Sequence, residues 1–158
     1  MKKFIFLVCV VGVALMLYKT KLRMQPQAIT QPVFAEVRLT MDIRDENIEV
    51  IHFIKTMNES ECKLLSNRLV EGFKAGAASK DVGQVVRLKS QECKSELPSR
   101  YAKIFDNEPF FVPYISGAAT EDGLRRELRV VPFGLTREES DKICDVLAKT
   151  LEQGKCVR

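Results

Sequence analysis

The sequence has a single histidine, His52, and no two cysteines spaced as Cys-x-x-Cys. A single histidine on a strand gives no good support for a histidine-rich metal site or for a general-base pair between histidine and cysteine. The missing Cys-x-x-Cys excludes a thioredoxin-type centre, which needs two neighbouring cysteines of low pKa at a helix N-terminus. His52 lies in an apolar run between Ile51 and Phe53, which indicates a structural histidine on a strand. We therefore expect no enzymatic activity, no cofactor and no metal.

Positive charge is also scarce beyond the N-terminal segment. The formal net charge of +4 arises because residues 1–23 hold five of the 25 cations and no acid, which leaves 20 cations against 21 acids downstream. A nucleic-acid-binding domain needs a basic face in its folded part. We therefore expect no nucleic-acid partner, and the apparent basicity belongs to the N-terminal segment.

An unbroken apolar run covers residues 4–18, with cations on both sides. The nearest small-residue cleavage site, Val33-Phe34-Ala35, lies too far downstream for a secretory signal. We predict an uncleaved signal-anchor over residues 1–23 that forms a transmembrane helix, and a cleaved signal peptide is the alternative. The run is short against the roughly 20 residues of a typical span, which suits a thin bacterial inner membrane.

Two further divisions follow along the chain. Residues 24–32 are polar, with two proline-containing steps, and indicate a linker. Residues 33–158 are enough for one domain with its own hydrophobic core.

The domain contains an even number of cysteines: Cys62, Cys93, Cys144 and Cys156. With no histidine nearby, they suit two structural disulfides better than a metal site. Disulfides persist only in an oxidising compartment, so we predict a single-pass inner-membrane protein with a periplasmic C-terminal domain. The lysines flanking the apolar run do not settle its orientation. The alternative is four reduced cysteines in a cytosolic domain, buried as plain hydrophobes.

The domain begins with alternating apolar and polar residues. The apolar positions are Val33, Ala35, Val37, Leu39, Met41 and Ile43, the pattern of a half-buried strand. Turn residues 44–47 and a second β-branched run over residues 48–55 predict a hairpin. Asn58 then supplies an N-cap with Glu61 at the third helical position, and apolar residues at helical spacing continue to Gly76.

The same order returns near the C-terminus. A strand over residues 128–133 precedes a helix that Thr136 caps, with Glu139 at its third position. One constant offset in residue number places Asn58 on Thr136 and Glu61 on Glu139, and at this offset the apolar stripe and terminating glycine coincide as well. We call it the repeat offset. The agreement indicates an internal duplication, although any two well-capped helices could satisfy the pattern.

The remaining segments complete a fold prediction. Residues 84–90 form a short strand, residues 92–106 are irregular or partly helical, and residues 110–118 pair with residues 124–133 in a hairpin. Antiparallel strands with two amphipathic helices on one face give an α+β sandwich of ferredoxin-like type.

This layout suggests a disulfide pairing. A strand that follows a helix ends near the N-terminus of that helix, so Cys93 should lie near Cys62 at the start of the first helix. Cys144 is then left for Cys156, which it can reach if the chain doubles back after Gly154. The geometry favours this pairing, but all three pairings stay open on the sequence alone.

The connection before the second hairpin has the most distinctive local composition. It is rich in aromatic and charged residues: Arg100, Tyr101, Phe105, Asp106, Glu108, Phe110, Phe111 and Tyr114. Such a segment either packs under the sheet as a satellite hydrophobic cluster or forms a recognition loop for a ligand or partner. Asp106 and Glu108 form an acid pair there, but the segment around them also reads as a turn.

The run Leu-Arg-Val-Val-Pro-Phe over residues 128–133, followed by Thr-Arg-Glu-Glu-Ser over residues 136–140 and by Leu147, resembles the second half of SPOR domains. These are the small peptidoglycan-binding modules of bacterial envelope proteins, and residues 50–76 are similar to their first unit. The resemblance implies a ferredoxin-like fold and an envelope location. No binding residue carries over, because Pro132 stands where these modules usually have glycine and more than fifty residues separate the two units.

These observations lead to a functional hypothesis. We expect a membrane-anchored bacterial envelope protein whose non-enzymatic domain binds another envelope component, either a protein or peptidoglycan. One alternative is a small single-span subunit of a secretion or pilus machine. Another is a periplasmic thiol-redox or hydrolytic accessory enzyme that uses Cys62 or the acids around Asp106.

Overall fold

The computed structural model describes residues 29–43, 46–77, 85–121 and 124–158. Six strands lie in these residues: β1 Val33–Ile43, β2 Glu46–Thr56, β3 Val85–Lys94, β4 Tyr114–Glu121, β5 Leu124–Phe133 and β6 Glu152–Val157. The helices there are α1 Glu59–Ala77, α2 Ser99–Ala102 and α3 Arg137–Thr150, with a 3-10 turn at Lys103–Asp106 after α2. The strands form one antiparallel sheet in the order β3-β1-β2-β5-β4-β6.

The sheet consists of two ββαβ repeats. The first repeat, residues 33–94, has strand order β3-β1-β2, and the second repeat, residues 114–158, has the equivalent order β6-β4-β5. Val37 pairs with His52 in the first repeat, and Ile115 pairs with Val130 in the second, which are the same positions at the repeat offset. His52 and Val130 also pair with each other where β2 meets β5, so a pseudo-twofold axis passes between them.

An irregularity in the sheet is repeated too. The β1–β3 register shifts just after Arg38, and the β4–β6 register shifts just after Ser116, which is the equivalent of Arg38 at the repeat offset. A bulge is a specific local feature of a strand pair, so its recurrence at the equivalent place supports a structural repeat. The duplication predicted from the helix caps therefore extends to the sheet.

The predicted fold class was wrong. A ferredoxin-like sandwich has four strands, whereas this sheet has six. The two extra strands arise because each long helix, α1 or α3, follows a complete hairpin, and the chain then returns to pair with the first strand of that hairpin. The predicted N-terminal transmembrane helix is not supported either. In the described part of the chain no helix is long and apolar enough to cross a membrane, and the apolar run at residues 4–18 lies outside the described residues.

Both predicted helix starts are confirmed. The Asn58 side chain accepts a hydrogen bond from the backbone N–H of Glu61 at 2.9 Å. Thr136 and Glu139 form a reciprocal capping box, in which the Glu139 carboxylate accepts from the Thr136 backbone N–H at 2.8 Å. These caps satisfy backbone donors that the first helical turn leaves unpaired, and they explain where each helix begins.

The C-terminal end differs from the prediction, because α3 stops at Thr150 and β6 follows it directly. Leu151 is already extended, and Gln153 has a positive φ of 51°. A Cβ atom at Gly154 would lie 1.9 Å from the Ala148 carbonyl oxygen. Only glycine allows β6 to pass this close to the last turn of α3.

The two faces of the sheet carry different cores. On the helix face, α1 and α3 cover a cluster of buried apolar residues: Ala35, Ile48, Val50, Ile54, Cys62, Leu65, Ile115, Leu128, Val130, Cys144 and Ala148. On the opposite face, here called the connection face, residues 95–113 cross the sheet between the two repeats. The alternation of side chains along β2 sends Ile54 to the helix face and Phe53 to the connection face.

One disulfide in each repeat joins the long helix to the strand that follows it. Cys62 in α1 is bonded to Cys93 in β3, and Cys144 in α3 is bonded to Cys156 in β6. The favoured pairing is therefore confirmed. Two structural disulfides indicate an oxidising, extracytoplasmic compartment.

Candidate interaction surface on the connection face

The connection forms a second hydrophobic cluster with the sheet. Its buried members are Ile51, Phe53, Tyr101, Ile104, Tyr114, Val131 and Val157. Tyr101 and Ile104 come from the connection itself, so its first half packs onto the sheet instead of projecting into solvent. Phe105 packs on the edge of the same cluster, 5.2 Å from the Phe34 ring.

A buried arginine holds the connection in place. Arg129 of β5 donates from Nε to the Ile104 carbonyl at 2.9 Å and from Nη2 to the Phe105 carbonyl at 3.3 Å. Its guanidinium also lies 5.0 Å from the centre of the Phe105 ring. Burial lowers the pKa of Arg129, although an arginine stays charged at any physiological pH. The side chain therefore adds hydrogen bonds to two carbonyl groups of the 3-10 turn and joins that turn to β5.

Tyr114 fixes the other end of the same segment. Its hydroxyl lies 3.2 Å from the Ile104 carbonyl and 2.9 Å from the Glu108 carbonyl. Burial raises the pKa of Tyr114, so the hydroxyl remains protonated and can donate. Asn107 between these contacts has a positive φ of 58°, and its side-chain oxygen accepts from the Ser116 hydroxyl at 2.9 Å. The connection is thus held by several contacts to β4 and β5.

A continuous series of aromatic contacts leads from the sheet to the surface. The ring centres are 4.9 Å apart for Phe53 and Tyr101, and 5.7 Å apart for Tyr101 and Phe110. Phe110 and Phe111 are 4.1 Å apart, and Phe111 and Phe133 are 5.7 Å apart. We call Phe110, Phe111 and Phe133 the aromatic patch. Most of these separations fall in the range of favourable aromatic pairs.

Phe111 is the most exposed member of this patch, with 70% of its surface accessible to solvent. Phe110 and Phe133 contact its ring, and both are partly buried against the second cluster. The exposed ring is therefore supported by residues that are themselves packed. Such an arrangement presents a large apolar group without leaving its position to a flexible loop.

A network of ion pairs crosses the first repeat on the same face. Buried Glu36 of β1 accepts from Arg38 and from Lys94, each at 2.7 Å. Arg38 also reaches Glu49 of β2 at 3.1 Å, and Lys89 of β3 reaches Glu49 at 2.6 Å. Burial alone would raise the pKa of Glu36, but the hydrogen bonds from Lys94 and Arg38 hold it below its usual range. The network joins three neighbouring strands and supports the fold.

The structure separates the residues predicted to form a recognition loop. Tyr101 and Tyr114 are buried and Phe105 is half-buried, whereas Phe111 is exposed in the aromatic patch. Arg100 is exposed, and its guanidinium lies 4.8 Å from the centre of the Tyr101 ring. The packing alternative thus holds for Tyr101 and Tyr114, and the recognition-loop alternative stays a prediction for the exposed residues Arg100 and Phe111.

The acids of that loop remain at the surface. Asp106 and Glu108 are exposed, and the nearest ion pair is a long one of 3.8 Å between Glu108 and Lys103. Cys62 is buried in the helix-face cluster and bonded to Cys93. These residues do not meet in one cleft. Within the described ranges, no three His, Cys, Asp or Glu side chains are grouped as metal ligands.

His52 occupies the middle of the sheet, on the helix face. It is buried, its ring lies 5.1 Å from that of Phe73, and its Nδ1 has no hydrogen-bond partner among the described residues. Burial lowers its pKa from 6.5 to about 4, so the ring is neutral near pH 7. The predicted structural histidine is therefore where the strand pattern placed it.

Two residues of this surface were not predicted. Phe133 reaches Phe111 from the end of β5, and Arg129 reaches the connection from the middle of that strand. Both contacts join residues more than twenty positions apart, and no local pattern reports such a contact. The alternation along β5 did place Arg129 and Phe133 on one side of the strand, which was the available signal.

No protein-family model matches the chain, and neither the curated proteins nor the solved structures contain a match. The resemblance to SPOR domains stays a prediction from the sequence. The candidate surface is therefore argued from its own geometry.

Proposed function

We propose that this protein is a non-enzymatic interaction module of the bacterial envelope, held at the inner membrane by its apolar segment at residues 4–18. Its domain works in the periplasm and binds another envelope component through the aromatic patch. The oxidising compartment follows from the two disulfides. The composition of the N-terminal segment supports the membrane attachment.

The observation that carries the proposal is the exposure of Phe111 on a packed support. A contiguous apolar patch on a protein surface can mark an interaction site. Aromatic residues and arginine are enriched in the centres of protein interfaces, and truncating such a residue often costs more than about 1 kcal/mol of binding energy. Phe111, and Arg100 on the same connection, are residues of these types.

The chemistry of the site agrees with binding. Cys62, on which a redox role would depend, is fully buried in the helix-face cluster and disulfide-bonded to Cys93. The acids at Asp106 and Glu108 are exposed and lie apart from it. The residues named for an accessory enzyme are thus not assembled around a common substrate position. A subunit of a secretion or pilus machine would use the same surface and would differ only in its partner.

The proposal is tested by photo-cross-linking of the full chain in its own membrane. A benzophenone side chain is placed at position 111, and a matched control carries it at Val146, which is 61% exposed on α3. We expect position 111 to yield a discrete cross-linked protein that Val146 does not. A Phe111→Ala variant should also lose the co-purification of that protein from detergent-solubilised membranes.

Two results would contradict the proposal. Identical cross-linking patterns at both positions would show that the patch has no selective partner. Unchanged co-purification with Phe111→Ala would show that binding lies elsewhere. A peptidoglycan partner is tested by sedimenting the full chain with purified peptidoglycan. Co-sedimentation that depends on Phe111 would identify a wall component as the partner.

A further inference from the structure

Arg100 differs from several other cations on the connection face. Arg38 and Lys94 are paired with Glu36, Lys89 with Glu49, and Arg129 with Glu127: each has a carboxylate within 3.1 Å. Within the described part of the chain, Arg100 has no carboxylate partner. Its contact there is with the face of the Tyr101 ring. An exposed guanidinium is therefore held against the Tyr101 ring, with no carboxylate partner among the described residues.

The contact with Tyr101 places this charge relative to the exposed ring. Tyr101 is buried and packs against Phe110, which in turn packs against Phe111. The three successive separations of 4.8, 5.7 and 4.1 Å limit the distance from the guanidinium to the Phe111 ring to about 15 Å. An extended peptide covers this distance with about four residues. A single short segment can therefore reach both groups.

We infer that Arg100 and Phe111 together bind an extended segment of a partner protein that carries one carboxylate, which pairs with Arg100, and one apolar side chain, which packs on Phe111. The planar guanidinium donates two parallel hydrogen bonds to a carboxylate, and its charge is complementary to that of the segment. Stacking on Tyr101 reduces the freedom of the Arg100 side chain before binding. The inference rests on the proposed function and names the class of partner for the same surface.

The test uses two synthetic peptides and the full chain in detergent, with phenylalanine labelled with ¹⁵N. One blocked heptapeptide carries glutamate four positions before a leucine, which places both side chains on one side of an extended chain, and the other replaces only that glutamate by glutamine. Binding is followed by the amide chemical shifts of Phe110, Phe111 and Phe133, of which Phe110 and Phe133 still report it in the Phe111→Ala variant. We expect the glutamate peptide to bind about three- to fivefold more tightly, the value of one exposed ion pair, and we expect the preference to shrink in high salt.

Variants separate the two contacts. Arg100→Ala should abolish the preference while both peptides still shift Phe111, and Phe111→Ala should weaken both peptides about equally. Arg137→Ala, an exposed arginine at the start of α3, is the matched control and should leave both affinities unchanged.

The outcomes are distinguishable. Equal binding of the two peptides to the unaltered chain would overturn the inference and leave the proposed function intact if Phe111→Ala weakens both. A preference that survives Arg100→Ala would overturn the role of Arg100. The absence of any shift at Phe111 at millimolar peptide would overturn the inference, and the cross-linking experiment would then decide the proposed function independently. Retention on peptidoglycan that depends on Arg100 would likewise overturn the choice of a protein segment.

Discussion

The two repeats share strand order, register and helix capping, but their disulfides occupy different positions. In the first repeat the disulfide begins at Cys62, whose equivalent at the repeat offset is Ser140. In the second repeat it begins at Cys144, whose equivalent is Ser66. All four side chains are buried. Each helix thus has a cysteine and a serine one turn apart on its inner face, in opposite order.

The strands that these helices contact differ in a corresponding way. Gln91 lies opposite Val37 on β1, and Cys156 lies opposite Ile115 on β4, which is the equivalent position. Where the second repeat has its disulfide, the first has a hydrogen bond of 2.9 Å from Gln91 to Ser66. The backbone of a repeat therefore accepts a helix-to-strand link at either of two successive turns. A disulfide present before duplication would occupy equivalent positions, so a single ancestral link does not explain both.

The largest expected effect comes from removing each disulfide in turn. The first closes a sequence separation of 31 residues and the second one of 12. In the chain-entropy model, replacing both cysteines by alanine should cost about 4 kcal/mol in the first repeat and about 3 kcal/mol in the second. Urea unfolding of the two double variants measures the difference. Equal costs, or the reverse order, would show that packing around the cysteines outweighs loop length.

The second prediction concerns the pair on the pseudo-twofold axis, where His52 faces Val130. Between pH 6.5 and about 4 the unfolded chain binds a proton at His52 that the folded protein does not bind. Stability from this group is therefore complete above pH 6.5 and lost as the pH falls towards 4, by about 3 kcal/mol in total. His52→Val, which makes the two repeats alike here, should remove this part of the pH dependence. Urea midpoints of the unaltered protein and of His52→Val, measured from pH 7.5 to 4, test this prediction. Parallel pH profiles for the two proteins would contradict it.

The smallest expected effect comes from the hydrogen bond that stands in for a disulfide. Gln91→Ala removes the donor to Ser66, and the cost should be about 1 kcal/mol because Ser66 keeps a second bond to the Lys63 carbonyl. Gln31→Ala, an exposed glutamine before β1, is the control and should have no effect. Thermal or urea unfolding resolves a difference of this size. A cost as large as that of the second disulfide would show that the two links contribute alike.

Local features of the fold were predictable, and long-range ones were not. The caps at Asn58 and Thr136 were evident because the residues that form them are three positions apart. Strand β6 was not predicted, because Gln153 and Lys155 give it little apolar alternation. The early end of α3 depends on Gly154 approaching Ala148, a contact that the sequence pattern does not report. The fold class failed because pairing of β3 with β1 and of β6 with β4 is a choice between distant strands.

The candidate surface followed the same rule. The composition of the connection predicted Arg100 and Phe111 as members of a candidate recognition loop, because charged and aromatic residues accumulate there. It could not decide that Tyr114 is buried while Phe111 is exposed, since both are aromatic residues of one segment. That distinction depends on Arg129 and Phe133, which approach from another strand.

Each disulfide closes within its own repeat, and this has a consequence for biogenesis. A chain exported from its N-terminal end presents Cys62 and Cys93 to the oxidising side before Cys144. The correct first bond can form while no cysteine of the second repeat is available to compete for it. The order of export thus favours the observed pairing over the two alternatives.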